Sequence, residues 1–331
     1  MADSNDILTN IKADERPFLT VFTPTYNRAH TLPELYESLK NQTCKDFQWL
    51  IIDDGSIDQT TELVKNWIKE DQINIRYIYQ ENGGKHIAYN HALTVADSEL
   101  FWPLDSDDLA LPKCIQQLKY HWQKIQEEKT QVNAISFLVQ KSDGGKWNQD
   151  FLQDYFDERF PELIYKGIIQ YDIWFVFELH VLRQFSYPVK WLRIYVPDAL
   201  MPYAISDLRP IRFINERLGV YRLNANDLDR LSNFSRPEKL KSGGAASLFL
   251  QYWIVLNYGK RYFLRYPLKH LRFAIQFHRF GIVAGLKLRE RLAWLEPRSV
   301  RYFSLLGLIP GMIAASITEL RFRRQIRTGN K

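Results

Sequence analysis

Cysteine is scarce in this 331-residue sequence: only Cys44 and Cys114 occur. That excludes a disulfide framework and a cysteine-built zinc site, and it fits a reducing compartment. No G-x-G-x-x-G follows the first strand-like run, and no G-x-x-x-x-G-K-[ST] or H-E-x-x-H occurs. Dinucleotide, P-loop and zincin chemistries are therefore not expected. The seven histidines show no ligand spacing. Long apolar runs are also missing. Tyr302–Ile317 is about 16 residues, interrupted by Gly307, Pro310 and Gly311, against the roughly 20 needed to cross a bilayer. The opening Met1–Asp6 is polar and acidic, so no secretory signal is expected there.

What is present describes a globular protein, with 46% hydrophobic, 25% charged and a high 14% aromatic residues. The length allows one large domain plus an appendage, or two domains. The net charge of +6 is unevenly spread. Tyr258–Lys331 carries 16 Lys/Arg against 3 Asp/Glu, leaving 28 against 35 upstream. An acidic body with a basic tail points to an anionic surface as a partner of the tail.

Residues 1–16 read as a disordered lead-in. Strand-like runs Phe18–Thr23, Phe47–Ile52, Ile75–Tyr79 and Leu100–Leu104 then alternate with helical stretches. Thr31-Leu32-Pro33-Glu34 reads as a capping box opening a helix to about Gln42. Asp58 is placed to cap a helix through about Glu70, and a further helix is expected around Ala88–Ala96. This alternation predicts an α/β fold with a mostly parallel, doubly wound sheet.

In such sheets, ligands sit at the carboxyl ends of the strands. Three of these strand ends are polar: Pro24-Thr25-Tyr26-Asn27, Asp53-Asp54-Gly55-Ser56 and Asp105-Ser106-Asp107-Asp108. A turn or a helix cap accounts for any one of them. Three along one rim suggest a site. In the last cluster, three carboxylates fall within four positions, and such a group repels itself unless a cation sits among it. Hard divalent ions take oxygen ligands, and Mg²⁺ favours one or two carboxylates plus phosphate oxygens.

Phe18–Arg28, Asp53–Asp58, Asn82–Asn90 and Leu104–Pro112 resemble, in order and spacing, the motifs of the family 2 glycosyltransferases with the GT-A fold. The resemblance covers residues 17–125 well. It continues more loosely through Asp198 and Asn215–Leu231. It implies a metal-dependent, inverting transfer from a nucleotide-diphosphate sugar, usually a UDP-sugar, with Mg²⁺ or Mn²⁺. By the same resemblance, Thr23 and Tyr26 line the base pocket and Asp54 accepts from the uracil N3–H. Asp53 is its support, and Lys85 lies near the nucleotide. Asp105 and Asp107 form the D-x-D spacing, followed by Asp108. Family members differ over which acid meets ribose and which meets metal, so all three stay as metal candidates.

An inverting transfer needs a base for the acceptor hydroxyl. Asp198, in Pro197-Asp198-Ala199, is the first candidate and Asp172 the second, with Asp207 and Glu216 behind them. The commoner family pattern has Glu at the position of Asp198, and Asp has the shorter reach. The resemblance divides the chain into a GT-A domain at 17–240 and a basic helical region at 241–331. The first holds a nucleotide-sugar half (17–125) and an acceptor half (126–240).

Aromatic, apolar and basic residues interleave in the tail, as in helices lying on an anionic membrane face. The expected acceptor is a saccharide or a lipid-linked saccharide, and the expected place the cytoplasmic face of the inner membrane. Two other readings compete. One is a non-catalytic membrane-surface protein on the same fold, which predicts a lost acid. The other is a sugar-nucleotide pyrophosphorylase, which wants a Gly-rich, Arg-bearing loop after the first strand; Pro24–Arg28 does not supply it. A nucleic-acid partner would leave the acidic rim unused.

Overall fold

β-branched and aromatic residues buried on both faces make the centre of the sheet. Every residue of Phe47–Asp53 is buried, as are six of the seven in Leu19–Thr25. The computed structural model describes residues 7–10, 16–170, 172–187, 197–222, 244–296 and 298–328. The strands are β1 (Ile7–Thr9), β2 (Leu19–Thr25), β3 (Phe47–Asp53), β4 (Ile75–Tyr79), β5 (Leu100–Pro103), β6 (Leu109–Ala110), β7 (Ala134–Lys141), β8 (Tyr155–Glu158), β9 (Trp174–Glu178) and β10 (Ile211–Tyr221). They form one ten-stranded sheet in the order β1-β4-β3-β2-β5-β9-β7-β10-β6, with β8 paired to β10.

The stretch β4-β3-β2-β5 is parallel, as the alternation predicts. Beyond β5 the sheet is mixed, because β9 runs antiparallel to both β5 and β7. The lead-in expected to be disordered is corrected at residues 7–9. There β1 pairs antiparallel with β4, Leu8 facing Tyr77, and covers what would be an open sheet edge. Residues 1–6 lie outside the described residues.

Helices α1 (Leu32–Lys40), α2 (Thr60–Glu70), α3 (Lys85–Val95) and α4 (Cys114–Glu127) follow β2, β3, β4 and β6. Tyr36 of α1, Trp49 of β3 and Trp67 of α2 stack, with Tyr36 and Trp67 ring centres 4.5 Å apart. On the opposite face of β2, Phe22 meets Phe101 and the α3 residue Tyr89. Helices therefore cover both faces. The capping box expected at Thr31 is not made: its side chain makes no cap bond, and the Glu34 carboxylate instead pairs with Arg222. Asp58 is not the cap of α2: the N-cap is Gln59, without a side-chain cap bond, and Asp58 one residue earlier accepts from the Thr60 N–H at 3.0 Å and hydroxyl at 2.6 Å.

The chain divides into two units, and the boundary differs from the expected 240/241 division. The sheet unit holds residues to Arg159, Ile169–Leu192 and Leu208–Asn224. The helical unit holds Phe160–Ile168, Arg193–Asp207 and Ala225–Lys331. Its elements include α5 (Phe160–Lys166) and helices Leu200–Leu208, Ala245–Tyr258, Pro267–Val283, Arg298–Ser304 and Leu308–Thr328. Tyr165 of α5 is its aromatic hub, stacked on Tyr262, Tyr266 and His270.

Candidate active site

Because β2, β3 and β5 are parallel neighbours, their carboxyl ends share one rim. Short bonds clasp the loops there. Asn27 N–H donates to Ser56 Oγ at 2.8 Å, Ile57 N–H to Asn27 Oδ1 at 2.9 Å, and Asp54 N–H to Thr25 O at 2.8 Å. Asn27 takes φ 53°, a conformation that asparagine tolerates better than most residues.

The two β3 carboxylates have different work. Asp53 is fully buried and turns inward: one oxygen accepts from Ser56 N–H at 2.8 Å, the other from the Tyr77 hydroxyl at 2.6 Å. Asp54 reaches across to the segment before α3. It accepts from Gln80 Nε2 at 2.7 Å, Gly83 N–H at 2.9 Å and Gly84 N–H at 2.7 Å. A carboxylate has about four acceptor positions, and the described residues take three of them. Those bonds fix Gly84 at φ 96°, and α3 starts on the next residue, Lys85. Lys85 Nζ then lies 2.8 Å from one Asp105 oxygen and 2.9 Å from the other. The β3 loop thereby sets where the β5 loop receives its cation.

Asp105, Asp107 and Asp108 each present a carboxylate oxygen, and these lie within 4.8 Å of one another. Asp108 is buried, and burial, followed by the charges of Asp107 and Asp105, pushes its carboxyl well above the usual range. The Arg222 N–H and the Lys85 charge oppose that rise without cancelling it. An oxygen-only set of hard donors under mutual repulsion suits Mg²⁺ or Mn²⁺ and no soft metal.

The loop is strapped from outside by β10. β6 pairs with it antiparallel, Val220 opposite Leu109, and Arg222 follows two residues later. Arg222 Nε donates to the Asp107 carbonyl at 2.8 Å, its N–H to Asp108 Oδ1 at 3.4 Å, and Nη1 pairs with Glu34 of α1. Two buried nitrogens here, Arg222 Nη2 and His86 Nε2, have no protein partner among the described residues. Buried polar atoms are normally bonded, so such atoms point to water or a ligand.

Other expected residues fall elsewhere. Thr23 does not line an open pocket; it is fully buried, and its hydroxyl accepts from the Trp49 indole at 2.9 Å. Tyr26 stands at the rim, 48% exposed. Asp172 is exposed two residues before β9. Since Phe177 of β9 pairs antiparallel with Phe101, β9 begins at the rim where β5 ends, and Asp172 is on the acidic side of the sheet. Asp198 is exposed just before the Leu200–Leu208 helix, in the helical unit. Of the stretch Asn215–Leu231, residues 223–231 lie outside the described residues. Sequence reasoning missed Gln80, Glu34 and Arg222. Arg222 stands in the family-like stretch and ends a strand, which was the available signal. Its partner Glu34 lies 188 positions away.

Residues 20–184 match the family model described as glycosyl transferase family 2. Validoxylamine A glucosyltransferase of Streptomyces hygroscopicus subsp. jinggangensis is 37% identical over 106 residues, 31% of this chain and 25% of that protein. Glycosyltransferase GlyG of Streptococcus pneumoniae is 31% identical over 139 residues, 40% of this chain and 45% of that one. The chain thus spans less than half the length of either relative. Among solved structures, S. aureus TarS 1-349 in complex with UDP-GlcNAc superposes with TM-score 0.55 at 17% identity, covering 94% of this chain and 92% of that one. Mannosyltransferase PcManGT from Pyrobaculum calidifontis, in complex with GDP-Man and Mn²⁺, gives 0.51 at 17%, covering 93% and 90%. At such identity the likeness is one of fold, and the fold is GT-A.

Proposed function

We propose, for a chain whose residues 20–184 belong to glycosyl transferase family 2, that it is an inverting glycosyltransferase using a UDP-sugar and Mg²⁺ or Mn²⁺. The observation that carries this reading is the cluster of three carboxylate oxygens within 4.8 Å, beside Lys85, at the strand-end rim of a GT-A sheet. Asp105, Asp107 and Asp108 would hold the cation, which when bound supplies charge neutralisation for a leaving diphosphate. Lys85 adds a point charge to the same end of the donor. Asp54 offers its remaining acceptor position to the base, Tyr26 its exposed ring, and Asp53 keeps the Asp54 loop in place.

In the reaction, an acceptor hydroxyl oxygen forms a bond to the anomeric carbon. The bond from that carbon to the diphosphate oxygen breaks, and the hydroxyl proton passes to a carboxylate. Asp198 is the proposed base, from its match to the family stretch. Asp172 is the alternative, supported by its side of the sheet. The acceptor is proposed to be a saccharide or a lipid-linked saccharide of a bacterial surface polymer, with the enzyme at the cytoplasmic face of the inner membrane. A similar protein, 38% identical over 91 residues, is a teichoic acid poly(glycerol phosphate) polymerase of Staphylococcus epidermidis, which agrees with such a polymer.

The test is release of free nucleoside diphosphate from a panel of UDP-, GDP- and dTDP-sugars, with Mn²⁺, with Mg²⁺ and with EDTA. Metal-dependent release from UDP-sugars alone is the expected result. Release unaffected by EDTA, or confined to GDP- or dTDP-sugars, would overturn the donor and metal assignment.

A further inference from the structure

The last helices of the chain have their large and small residues the wrong way round for a water-facing helix. Along Arg298–Ser304, the 3-10 turn Leu305–Gly307 and the described part of Leu308–Thr328, the buried positions after Val300 are small: Ser304, Gly307, Gly311, Ala315 and Thr318. Gly307 and Gly311 let this segment lie directly on the Pro267–Val283 helix. A Cβ at Gly307 would meet Ala274 C and Ile275 N at 2.7 Å, and one at Gly311 would meet His278 Cβ at 2.8 Å. The opposite face carries Tyr302, Leu306, Ile309, Met312, Ile313 and Leu320, each between 52% and 70% exposed. At 100° per residue these six fall within an arc of about 120°. Only 28% of the most apolar window of Arg298–Arg321 is buried.

A helix in water buries its large apolar side and exposes small or polar residues. Small residues at a helix contact with large apolar residues turned outward is the arrangement of helices in lipid. We infer that this outward face lies in the interfacial layer of an anionic phospholipid membrane, parallel to its plane. The charge chooses the occupant. Between Arg298 and Lys331 there are seven Lys/Arg and a single acid, Glu319. Basic residues beside a membrane surface are drawn to anionic headgroups.

By length and composition the helix Arg298–Arg321 could cross a bilayer, longer than the sequence run suggested, but a guanidinium stands on its other side. Arg279 Nε of the supporting helix donates to Thr318 Oγ1 at 2.9 Å. One face is apolar and the other meets the Arg279 guanidinium, so the segment lies on the bilayer. The inference names the residues that would touch lipid for the membrane-side placement proposed above. It is independent of the transfer chemistry.

The test is flotation of the full chain with vesicles of phosphatidylcholine containing about 30% phosphatidylglycerol, against phosphatidylcholine alone. The comparison is wild type with the double variant Ile309→Asp, Ile313→Asp. Both positions are exposed, so the fold is expected to survive, and circular dichroism checks this. Wild type should float with the anionic vesicles and fall away as salt rises, and the variant should bind about tenfold or more weakly. UDP binding should be equal in the two proteins, which separates failure here from failure of the donor reading. Equal flotation of wild type and variant would overturn the inference, as would no flotation of wild type. So would a lipid-free oligomer that the variant dissolves without any vesicle binding, since a second copy would then be the occupant.

Discussion

Asp54 and Arg222 do with single side chains what the loops around them could not do alone. Asp54 accepts from Gln80, Gly83 and Gly84. In Asp54→Asn, whichever way the amide turns, its NH2 must face a backbone N–H, that of Gly83 or that of Gly84. We expect a loss of about 1–3 kcal/mol in unfolding free energy, together with weaker UDP binding, read by thermal denaturation and calorimetry. Arg222 ties the Asp107 carbonyl to Glu34 of α1. Arg222→Ala releases the acid loop from that strap and should cut Mn²⁺-dependent donor turnover by about tenfold or more. The Glu34→Ala variant should cost less, because Glu34 is 62% exposed and water replaces its partner. Equal losses would contradict this division of roles. Neither Asp54's three donors nor Arg222's grip was legible in the sequence. Both depend on contacts across loops, and hydrophobic periodicity does not encode them. The acids themselves were legible, because strand-end residues of a parallel sheet converge by topology. Thr23 was misplaced because a strand-end residue can as well face the core, and here the Trp49 indole takes its hydroxyl.

Elements place these residues, and two glycines hold the elements. Gly84 stands at φ 96°, and a Cβ there would lie 3.1 Å from the His86 ring. Gly84→Ala is expected to shift the start of α3, and with it Lys85, at a cost of about 1–2 kcal/mol. Gly219 of β10 lies under the Trp174 ring, where a Cβ would approach to 2.0 Å. Gly219→Ala must displace Trp174 at the head of β9, so we expect a loss of about 1–3 kcal/mol. Denaturant unfolding of the two variants measures both, and wild-type stability in Gly219→Ala would contradict the packing. The first four parallel strands and their helices were readable from alternation and strand composition. The mixed half of the sheet was not, since β9 and β10 are brought to the sheet by tertiary pairing over long separations. β1, three residues long, carries too little pattern to be seen.

At the scale of the molecule, an acidic sheet unit carries the acid cluster and the candidate nucleotide site, and a basic helical unit carries Asp198 and the exposed apolar face. The helical unit also holds buried neutral histidines. Arg291 donates to His278 Nδ1 at 3.0 Å, so the Nε2–H faces the Ser304 carbonyl at 3.0 Å. Burial lowers the pKa of His278, helped by Arg291, and that of His270, in each case to about 4. The unfolded chain takes up these protons near pH 6.5, while the folded one does not until about pH 4. Stability is therefore complete above pH 6.5 and falls as the pH drops toward 4. The slope is about 1.4 kcal/mol per pH unit for each histidine. Thermal denaturation between pH 7.5 and 4 should show this slope, and His278→Gln should remove one histidine's share of it. An unchanged slope in that variant would contradict the assignment.

The central claim, that the acid cluster binds a metal–nucleotide donor, is tested most directly by calorimetric titration. UDP, GDP and dTDP would each be added with Mn²⁺ and with EDTA to wild type and Asp107→Ala. The account predicts UDP binding that requires Mn²⁺ and is lost in the variant. Nucleotide binding that ignores the metal and survives Asp107→Ala, or no binding at all, would contradict it.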